Sequence, residues 1–511
     1  MGMLLKSKTR RLVLAVFLAA TFAAAAPAAE PAWNLTILHT NDTHSAFLPR
    51  PATWTDDGRL VGGIAALSAH LAAERARASA VVQLDGGDFM TGNPVSRLVE
   101  DGVVGGAVTR MMGALGYDAG VVGNHEFDIG WENLHLLAAT VRYPLLAADL
   151  QLTDGSPAFR AEPVILERGG LKVGVIGVSC AGMTGVVTPE RLGPVTLLDQ
   201  EPLLRRLAAD IDPVTDVIIV VTHSGVETDR ALARALEGSG IDVIVGGHSH
   251  TRIKTPEQEG GILIVQAGGN MTNLGRLDLR VEDDRVVAFD GRLIDLWADD
   301  ETAPQADPAV VALAARYGEQ VQAEFGQVIG ELAVDLPKGR GETVIGNFLA
   351  DALRAEAGAD VALINTGGIR RTLDAGPVTA LDIQEMLPFG NALVVAELSG
   401  AQVRRVAQAN ADNGAGGKHG ILQISGLSYE YRVHGEAAEL VDVKVGGQPL
   451  ADDRVYRVAM PDFVAQMTDV YLGIGPVPAA DTGVTLDEAV VHAFARGADR
   501  AALDGRIMKL D

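Results

Sequence analysis

Cysteine is almost absent from the sequence, and basic and aromatic residues are scarce. The single cysteine, Cys180, excludes an internal disulfide framework and a metal cluster built from several thiolates. Lysine and arginine number 42 against 66 aspartate and glutamate residues, so the formal net charge is −24 at pH 7. This balance argues against binding to nucleic acid polymers or to an anionic membrane surface. A small anionic substrate stays compatible, because cations or a few arginines reverse the field locally.

Long hydrophobic runs are also missing beyond the N-terminal segment. That segment begins with basic residues and continues with an uncharged run over residues 12–26 and then small residues, which is typical of a secretory signal peptide. We therefore predict a signal peptide over residues 1–29, export to the periplasm or outside the cell by the Sec or twin-arginine route, and no stable membrane insertion after cleavage. An uncleaved N-terminal anchor is the alternative interpretation.

The length of 511 residues is too great for one ordinary domain, and a content of 48% hydrophobic residues excludes a disordered chain. Short β-branched runs alternate with amphipathic helical patterns from residue 35 to about residue 296. This alternation predicts an α/β unit with a largely parallel core sheet and helices outside. The predicted strands cover residues 35–38, 81–84, 120–122, 173–178, 217–221, 243–245 and 262–265.

The remainder of the chain predicts a second unit. Residues 297–308 are acidic and contain two prolines, which is typical of a linker, and residues 309–325 have the pattern of one amphipathic connector helix. We therefore expect a first domain over residues 30–300, a linker and connector over 301–325, and a second α/β domain over 326–511.

Five short polar motifs stand out in the first unit, and each directly follows a predicted strand. Ligand sites in open α/β sheets form beyond the carboxyl ends of the strands, so these motifs are expected to meet. They are Asn41-Asp42-Thr43-His44, Asp85-Gly86-Gly87-Asp88, Gly123-Asn124-His125-Glu126-Phe127-Asp128, Thr222-His223-Ser224-Gly225 and Gly246-Gly247-His248-Ser249-His250.

Histidine is concentrated in these motifs, which hold five of the eleven histidines of the chain. The Asp-x-His and His-x-His spacings would place two ligands on one side of an extended segment, since side chains repeat every second residue. Aspartate, asparagine and histidine donors without cysteine suit Zn, Mn, Fe, Co or Ca. Together the motifs predict a metal site.

Taken singly, each motif has an alternative structural interpretation. Asp42 could cap a turn, and Asp85 to Asp88 could form an Asp-Gly turn. His223 could be a hydrogen-bonded core histidine, and Asp128 could be the N-cap of a helix that starts near Gly130. The common order and the common position at strand ends favour the metal site.

These motifs resemble those of the calcineurin-like metallophosphoesterase superfamily and, more narrowly, of the two-domain 5′-nucleotidase family. The resemblance rests on Ile37-Leu38-His39-Thr40-Asn41-Asp42-Thr43-His44 and on the motif from Gly123 to Asp128. It implies a four-layer α/β/β/α metallophosphoesterase domain that holds two divalent metal ions, followed by a smaller α/β C-terminal substrate-binding domain. It also implies roles for individual residues: Asp42, His44 and His250 bind one metal, Asn124, His223 and His248 bind the other, Asp88 bridges them, and His125 and Asp128 form a dyad beside the phosphate.

The chemistry of such a site agrees with this resemblance. Two neighbouring divalent ions lower the pKa of a bridging water, and the resulting hydroxide can attack phosphorus in line. His125 could stabilise a phosphoryl oxygen or protonate the leaving alkoxide, with Asp128 fixing its tautomer. We therefore expect an exported 5′-nucleotidase that releases phosphate from nucleoside monophosphates. A 2′,3′-cyclic-nucleotide phosphodiesterase, a UDP-sugar hydrolase, another small-ester hydrolase and a non-catalytic ligand-binding protein are the alternatives.

Substrate choice is expected to reside in the second half. Asn365-Thr366-Gly367-Gly368-Ile369-Arg370 and Leu387-Pro388-Phe389-Gly390-Asn391 resemble family segments. The resemblance implies that the substrate, a small phosphoester such as a nucleotide, contacts Asn124, Arg370, Phe463 and Asp469. An ordinary surface position is the alternative for Arg370.

The second half also departs from the family pattern. Ile421 stands where relatives place one of two base-stacking rings, and Met467, Thr468 and Val470 replace residues of a glycine-rich turn. Within residues 410–418, where relatives offer an arginine, only Lys418 is basic. These departures leave the identity of the substrate open.

Overall fold

The computed structural model of the protein describes residues 33–52, 59–298, 304–416, 420–435 and 437–510. The predicted signal peptide, Lys418 and residues 299–303 of the predicted linker lie outside the described residues. Within the described part, no helix combines the length and the apolar character that crossing a bilayer requires.

The first half contains strands and helices in close alternation. Its strands are β1 (Leu35–Thr40), β2 (Arg50–Pro51), β3 (Leu60–Val61), β4 (Val81–Asp85), β5 (Val99–Glu100), β6 (Val103–Val104), β7 (Ala119–Val121), β8 (Leu145–Leu146), β9 (Leu150–Leu152), β10 (Val164–Arg168), β11 (Leu171–Gly177), β12 (Val195–Leu197), β13 (Val217–Val221), β14 (Val243–Val245), β15 (Glu257–Glu259), β16 (Ile262–Val265), β17 (Asn273–Val281) and β18 (Val286–Asp295). Its α-helices are α1 (Ile64–Arg77), α2 (Gly106–Leu115), α3 (Trp131–Ala138), α4 (Pro189–Leu192), α5 (Gln200–Ile211) and α6 (Val226–Ala235).

Two six-stranded sheets form the centre of this half, with strand orders β18-β17-β1-β4-β7-β8 and β10-β11-β13-β14-β16-β15. The single core sheet predicted from the strand and helix alternation is therefore wrong. Each sheet is parallel in the middle and antiparallel at an edge, as in the β1–β17 and β10–β11 pairs. The alternation of strands and helices along the chain indicates that neighbouring strands are parallel. It does not indicate how many sheets those strands form.

The two sheets pack face to face, with helices on both outer faces. In β13, Val217, Ile219 and Val221 lie in the core between the sheets, while Ile218 and Val220 pack under the helices. This alternation follows from side chains pointing to opposite faces along a strand. The resulting α/β/β/α order confirms the four-layer expectation.

The β17–β18 hairpin was not predicted from the sequence. The buried side chains of β17 include Arg276 and Asp278, which pair with each other at 2.7 Å, and Arg276 also bonds the carboxylate of Glu74 at 2.6 Å. Because ion pairing compensates these charges, charged residues can be buried in β17. The strand therefore lacks the continuous apolar pattern from which the other central strands were predicted.

Helix α7 (Pro308–Phe325) follows the first half and confirms the predicted helix within one residue. Its buried side chains, Val310, Ala314, Tyr317 and Val321, recur at helical spacing and join the core of the first half. The predicted connector helix is therefore packed against the first half over its length.

The second half is a smaller α/β unit. Its strands are β19 (Val328–Leu332), β20 (Val361–Asn365), β21 (Gly376–Thr379), β22 (Ala392–Ser399), β23 (Leu422–Ser425), β24 (Leu427–His434), β25 (Ala437–Val445), β26 (Gln448–Pro449), β27 (Val455–Pro461), β28 (Ala479–Thr485) and β29 (Ile507–Lys509). Its helices are α8 (Val344–Ala357), α9 (Ala380–Met386), α10 (Gly400–Ala415), α11 (Asp462–Gln466), α12 (Thr468–Tyr471) and α13 (Leu486–Ala495). A five-stranded sheet, β23-β20-β27-β22-β28, separates two hydrophobic cores.

Candidate functional site

The five motifs converge at the carboxyl ends of β1, β4, β7, β13 and β14. Potential ligand atoms fall into three groups, and within each group they all lie within 4.8 Å of one another. The groups are Asp42, His44 and His250; His44, Asp88 and His125; and Asp88, His223 and His248. The structure therefore brings together six of the seven predicted ligands as charged or imidazole donors, and Asn124 joins them through its contact with His248.

The backbone at this site is not extended, so the predicted arrangement of ligands along extended segments is wrong. Asp42, His44, Asp88, His248 and His250 have φ values of 50°, 48°, 56°, 73° and 50°. Such left-handed conformations cost about 1–3 kcal/mol each for residues with a side chain and persist only where surrounding contacts enforce them. The tight turns, rather than an alternating strand, aim the side chains at a common centre.

Hydrogen bonds between the loops hold these turns in place. The amide of Asp42 donates to the carbonyl of Gly87 at 2.8 Å, and the amide of His44 donates to the carbonyl of Asp88 at 3.0 Å. The amide of His248 donates to the carboxylate of Asp42 at 2.9 Å. Each loop is thus fixed by its neighbour.

Glycine is required where the loops approach most closely. A Cβ at Gly123 would lie 2.2 Å from Oδ1 of Asp88, and a Cβ at Gly247 would lie 2.7 Å from Nδ1 of His223. Any side chain at these two positions would displace a predicted ligand.

The group around Asp42 has the spacing of donors that face one cation. Nε2 of His250 lies 3.2 Å from Oδ1 of Asp42 and 3.0 Å from Nε2 of His44. Nδ1 of His44 faces the carbonyl of Thr91 at 3.0 Å, which leaves Nε2 to point at the centre. Asp42 is fully buried, so its charge requires a partner.

The group around Asp88 contains a buried donor atom without a hydrogen bond. Nδ1 of His223 bonds the carbonyl of Gly86 at 2.6 Å, so Nε2 faces the centre and would offer its lone pair to a cation that displaces the Nε2 proton. Nε2 lies 3.0 Å from Oδ2 of Asp88, but it forms no hydrogen bond with it. An atom in this position fits a metal ligand, and the role of His223 as a ligand stays a prediction.

The electrostatics of the site also fit cations. Burial holds the pKa of His44 well below its ordinary value and lowers the pKa of His248 to about 4, so both rings are neutral donors at pH 7. Burial acts in the same direction on His223, but the carboxylate of Asp88 outweighs it and raises the pKa of His223 to about 10. The two buried carboxylates therefore create a field that favours positive charge at the centre.

His125 lies beside this centre and is held by Asp128. Nδ1 of His125 is 2.8 Å from Oδ2 of Asp128, and Nε2 points towards Asp88, 3.9 Å from Oδ2. Helix α3 begins after Gly130 without a side-chain cap, so the interpretation of Asp128 as an N-cap is wrong. Burial lowers the pKa of His125, but Asp128 and Asp88 outweigh it, and the net shift is upward.

A cavity of about 220 Å³ opens onto the dyad and the ligand cluster. Both halves of the chain line it. The residues from the first half are Asp88, Asn124, His125, Asp128, Val186, Val187, Thr188, Arg191, His248 and His250, and those from the second half are Asn365, Gly367, Gly368, Arg370, Phe389, Asn391, Phe463 and Tyr471.

Of the three predicted substrate contacts in the second half, two line the cavity and one does not. Arg370 and Phe463 line the cavity, and the guanidinium of Arg370 lies 5.6 Å from the ring centre of Phe389, so its interpretation as an ordinary surface arginine is wrong. Asp469 is exposed on α12 and is not among the lining residues. Its role as a substrate contact stays a prediction that the cavity does not support.

Sequence reasoning missed several lining residues, including one arginine and two aromatic side chains. The ring of Tyr471 packs against Phe463 with centroids 5.5 Å apart, so a second aromatic side chain reaches the cavity although Ile421 is buried elsewhere. Arg191 on α4 reaches the cavity from outside every motif. Phe389 lay in a recognised segment, but nothing in the sequence indicated that its ring faces His125.

Glu126 was also missed, although it lies inside a motif. Its buried carboxylate accepts hydrogen bonds from the amides of Gly123, Asp88 and Met90 at 2.7, 3.0 and 3.1 Å. The side chain therefore ties the loop after β4 to the loop after β7, which carry Asp88 and Asn124. A carboxylate two residues after a predicted ligand was the available signal.

Each half of the chain matches a known protein family. Residues 35–252 match the calcineurin-like phosphoesterase family, and residues 328–473 match the 5′-nucleotidase C-terminal domain. A 5′-nucleotidase of Vibrio cholerae is 30% identical over 92% of this chain and 92% of its own length, and Protein UshA of Yersinia enterocolitica is 28% identical over 90% of each chain. The crystal structure of a 5′-nucleotidase precursor from Thermus thermophilus is 28% identical, covers 93% of this chain and 99% of its own, and superposes with a TM-score of 0.80.

The family assignment agrees with the geometry. Calcineurin-like phosphoesterases bind a dimetal centre, and the groups around Asp42 and Asp88 offer candidate ligands for one. The chain belongs to the 5′-nucleotidase family of calcineurin-like phosphoesterases, and it is a metal-dependent, 5′-nucleotidase-like phosphoester hydrolase.

Proposed function

We propose that this enzyme releases phosphate from nucleoside 5′-monophosphates. One observation carries the proposal: the ligand cluster, the His125–Asp128 dyad and the aromatic pair of Phe463 and Tyr471 all face one cavity. The ligand cluster and the dyad would bind and hydrolyse the phosphate ester, and the aromatic pair would bind a flat base. A protein that only bound a ligand would not need all three.

In this proposal two divalent ions share the cluster. Asp42, His44 and His250 would hold one, Asn124, His223 and His248 would hold the other, and Asp88 would bridge them. Zn, Mn, Fe, Co and Ca suit the donor set. When bound, such a pair lowers the pKa of water towards neutrality and neutralises charge on phosphoryl oxygens.

The residues of the chain carry the remaining steps. Arg370 binds a phosphoryl oxygen through its guanidinium. His125, in its doubly protonated form, donates a proton from Nε2 to the leaving 5′-oxygen, while Asp128 accepts the hydrogen bond from Nδ1–H and stabilises the charged ring before the transfer. The orientation of His125 is thereby set before the substrate arrives.

The base would stack against Phe463 and Tyr471. Aromatic rings are tolerant of base identity, because every base presents a π face, so this pair predicts breadth among nucleosides rather than selection of one. Val186 and Val187 line the same cavity and add apolar surface.

A sugar nucleotide such as a UDP-sugar is a second candidate, and Arg191 favours it. Arg191 lines the cavity together with Arg370, and its guanidinium contacts Asn391 Oδ1 at 3.2 Å, the carbonyl of Phe389 at 3.4 Å and Asp128 Oδ1 at 3.9 Å. The second phosphate of a sugar nucleotide could bind that guanidinium. The alternative predicts that Arg191→Ala weakens hydrolysis of UDP-glucose more than hydrolysis of AMP.

Export to the periplasm or beyond the cell is part of the proposal. It is supported by the signal-like composition of residues 1–29. Expression of the full chain in a bacterium, followed by cell fractionation and N-terminal sequencing of the product, tests it. Retention in the cytoplasm of an uncleaved chain would contradict it.

The activity is tested with the purified mature chain after chelation and separate addition of Mn, Zn, Co, Fe and Ca. We expect metal-dependent phosphate release from AMP and from p-nitrophenyl phosphate. Preference for UDP-glucose or for 2′,3′-cyclic AMP would replace the proposed substrate by one of the alternatives. Absence of turnover with every substrate and metal would sink the proposal.

A further inference from the structure

The ring of Phe389 covers the imidazole of His125. The two rings are nearly parallel, with an interplanar angle of 20° and centroids 5.3 Å apart. The guanidinium of Arg370 approaches the same phenyl ring, 5.6 Å from its centroid. Phe389 thus lies against both groups that the proposed function assigns to the phosphoryl group.

The loop that carries Phe389 is held by the first half of the chain. Arg97 donates to the carbonyl of Pro388 at 2.8 Å, and Arg191 donates to the carbonyl of Phe389 at 3.4 Å and to Oδ1 of Asn391 at 3.2 Å. Asn93 donates to the carboxylate of Glu385 at 2.6 Å, just before this loop. The position of the phenyl ring is therefore fixed relative to the dyad by contacts outside the dyad.

The contact with Asp128 alone does not fix the plane of His125. The hydrogen bond at Nδ1 restrains one edge of the ring, but because a hydrogen bond tolerates a range of angles it still permits limited tilting of the ring about the Cβ–Cγ bond. On the other side, His44 meets the ring edge-on, with centroids 5.1 Å apart and an angle of 69°. The phenyl face of Phe389 supplies the remaining restraint, because offset stacking is favourable only when the two planes are nearly parallel.

We propose that Phe389 is a positioning residue, whose ring holds the imidazole of His125 in the plane that points Nε2 at the leaving oxygen. The inference rests on the proposed function, because it assumes that His125 protonates the leaving group. It assigns to the second half of the chain an indirect part in the proton transfer, through the orientation of His125, in addition to binding substrate.

The test compares two leaving groups in Phe389→Leu, a change that keeps apolar bulk and removes the ring. The nucleoside 5′-alkoxide of AMP is strongly basic and needs a proton, whereas p-nitrophenolate is weakly basic and leaves without one. We expect kcat for AMP to fall about 10-fold with KM within about 2-fold, and kcat for p-nitrophenyl phosphate to fall less than about 2-fold. The ratio of the two kcat values does not depend on how much of the variant is folded.

Two further variants complete the experiment. Phe389→Tyr keeps the ring, so it should restore the AMP to p-nitrophenyl phosphate ratio of the wild type. In a His125→Ala background Phe389→Leu should cause no additional loss with AMP, because a residue that acts only through His125 has no effect without it. Phe159→Leu is the matched control, since it removes a partly buried ring that packs against Trp131 outside the cavity, and its ratio should be unchanged.

An equal loss with both substrates, a change in KM alone, or full additivity with His125→Ala would overturn the inference while leaving the proposed function intact. A wild-type enzyme that hydrolyses neither ester would instead overturn the proposed function, and the inference with it.

Discussion

The two halves of the chain differ in how closely their sites follow the sequence. In the first half, the side chains named from the motifs converge on one centre. In the second half, Arg370 and Phe463 reach the cavity, Asp469 does not, and Tyr471 arrives without having been predicted. The difference shows how tightly each kind of chemistry constrains the residues that perform it.

A dimetal centre accepts few donor types and tolerates little change in their spacing, so its motifs stay recognisable. A stacking surface has weaker demands, since any flat ring that reaches the cavity from any direction can serve. Tyr471 lines the cavity from a position fifty residues away from Ile421, and the proposed function gives it the stacking role that Ile421 cannot fill. Loss of a family residue in the second half does not establish loss of the function that it served.

The largest effect is expected from removing Asp88, the proposed bridging carboxylate of the first half. Asp88→Ala should lower kcat/KM for AMP by at least about 10³-fold and reduce the bound metal, because Asp88 is the carboxylate that two of the three described groups share. Phosphate release and metal content measure the effect. Asp210→Ala, which removes an exposed carboxylate of α5, should change neither, and full turnover in Asp88→Ala would contradict the assignment.

Removal of the dyad histidine should have the next largest effect. His125→Ala should lower kcat for AMP by about 10²–10⁴-fold, the usual contribution of a positioned general acid. Metal content should stay that of the wild type, because His125 is outside the proposed ligand set. Loss of metal in this variant would instead place His125 among the ligands, as its grouping with His44 and Asp88 allows.

The support behind the ligands can be tested through Glu126. Glu126→Gln replaces one of the two oxygens that accept amide hydrogen bonds, so the loops of Asp88 and Asn124 should lose alignment. We expect metal affinity or activity to fall about 10–100-fold, as for other groups that orient metal ligands. Titration of the metal-free protein with Mn measures the affinity, and wild-type affinity and activity would show that the loops hold their positions unaided.

The aromatic pair tests the second half. Phe463→Leu and Tyr471→Leu should each raise KM for AMP by an amount equivalent to about 1–3 kcal/mol, with kcat little changed. Neither variant should affect ribose 5-phosphate, which has no base to stack. An effect of Phe463→Leu alone would show that Tyr471 does not compensate for Ile421, and the second half would then have lost half of its stacking surface.

The smallest effect is expected at Asp469. Because its side chain is exposed and outside the cavity lining, Asp469→Ala should change KM and kcat for AMP by less than about 2-fold. Steady-state kinetics with AMP and with ribose 5-phosphate measure it. A 10-fold rise in KM for AMP alone would restore the role that the family resemblance implies.

Several features of the fold could be predicted because they are local. Helix α7 was predicted from the spacing of its apolar residues, and β13 and β14 from short β-branched runs with sharp ends. The β17–β18 hairpin could not, since its buried Arg276 pairs with Glu74, which lies about two hundred residues away, and its buried Asp278 pairs with Arg276. The number of sheets was equally inaccessible from the order of elements along the chain.

The sequence by itself determined which donors this protein could offer to metals and at which strand ends, because ligand chemistry restricts residue type and strand ends are local features. The tertiary structure decided how these donors are aimed, through left-handed turns at Asp42, Asp88 and His248 that neighbouring loops enforce. It also decided which rings face the cavity, since the orientation of Phe389 and Tyr471 depends on contacts between residues far apart in the chain. Local patterns do not encode such contacts, and for that reason Arg370 and Phe463 could be named from the sequence, whereas Tyr471 and the orientation of Phe389 emerged only from the fold.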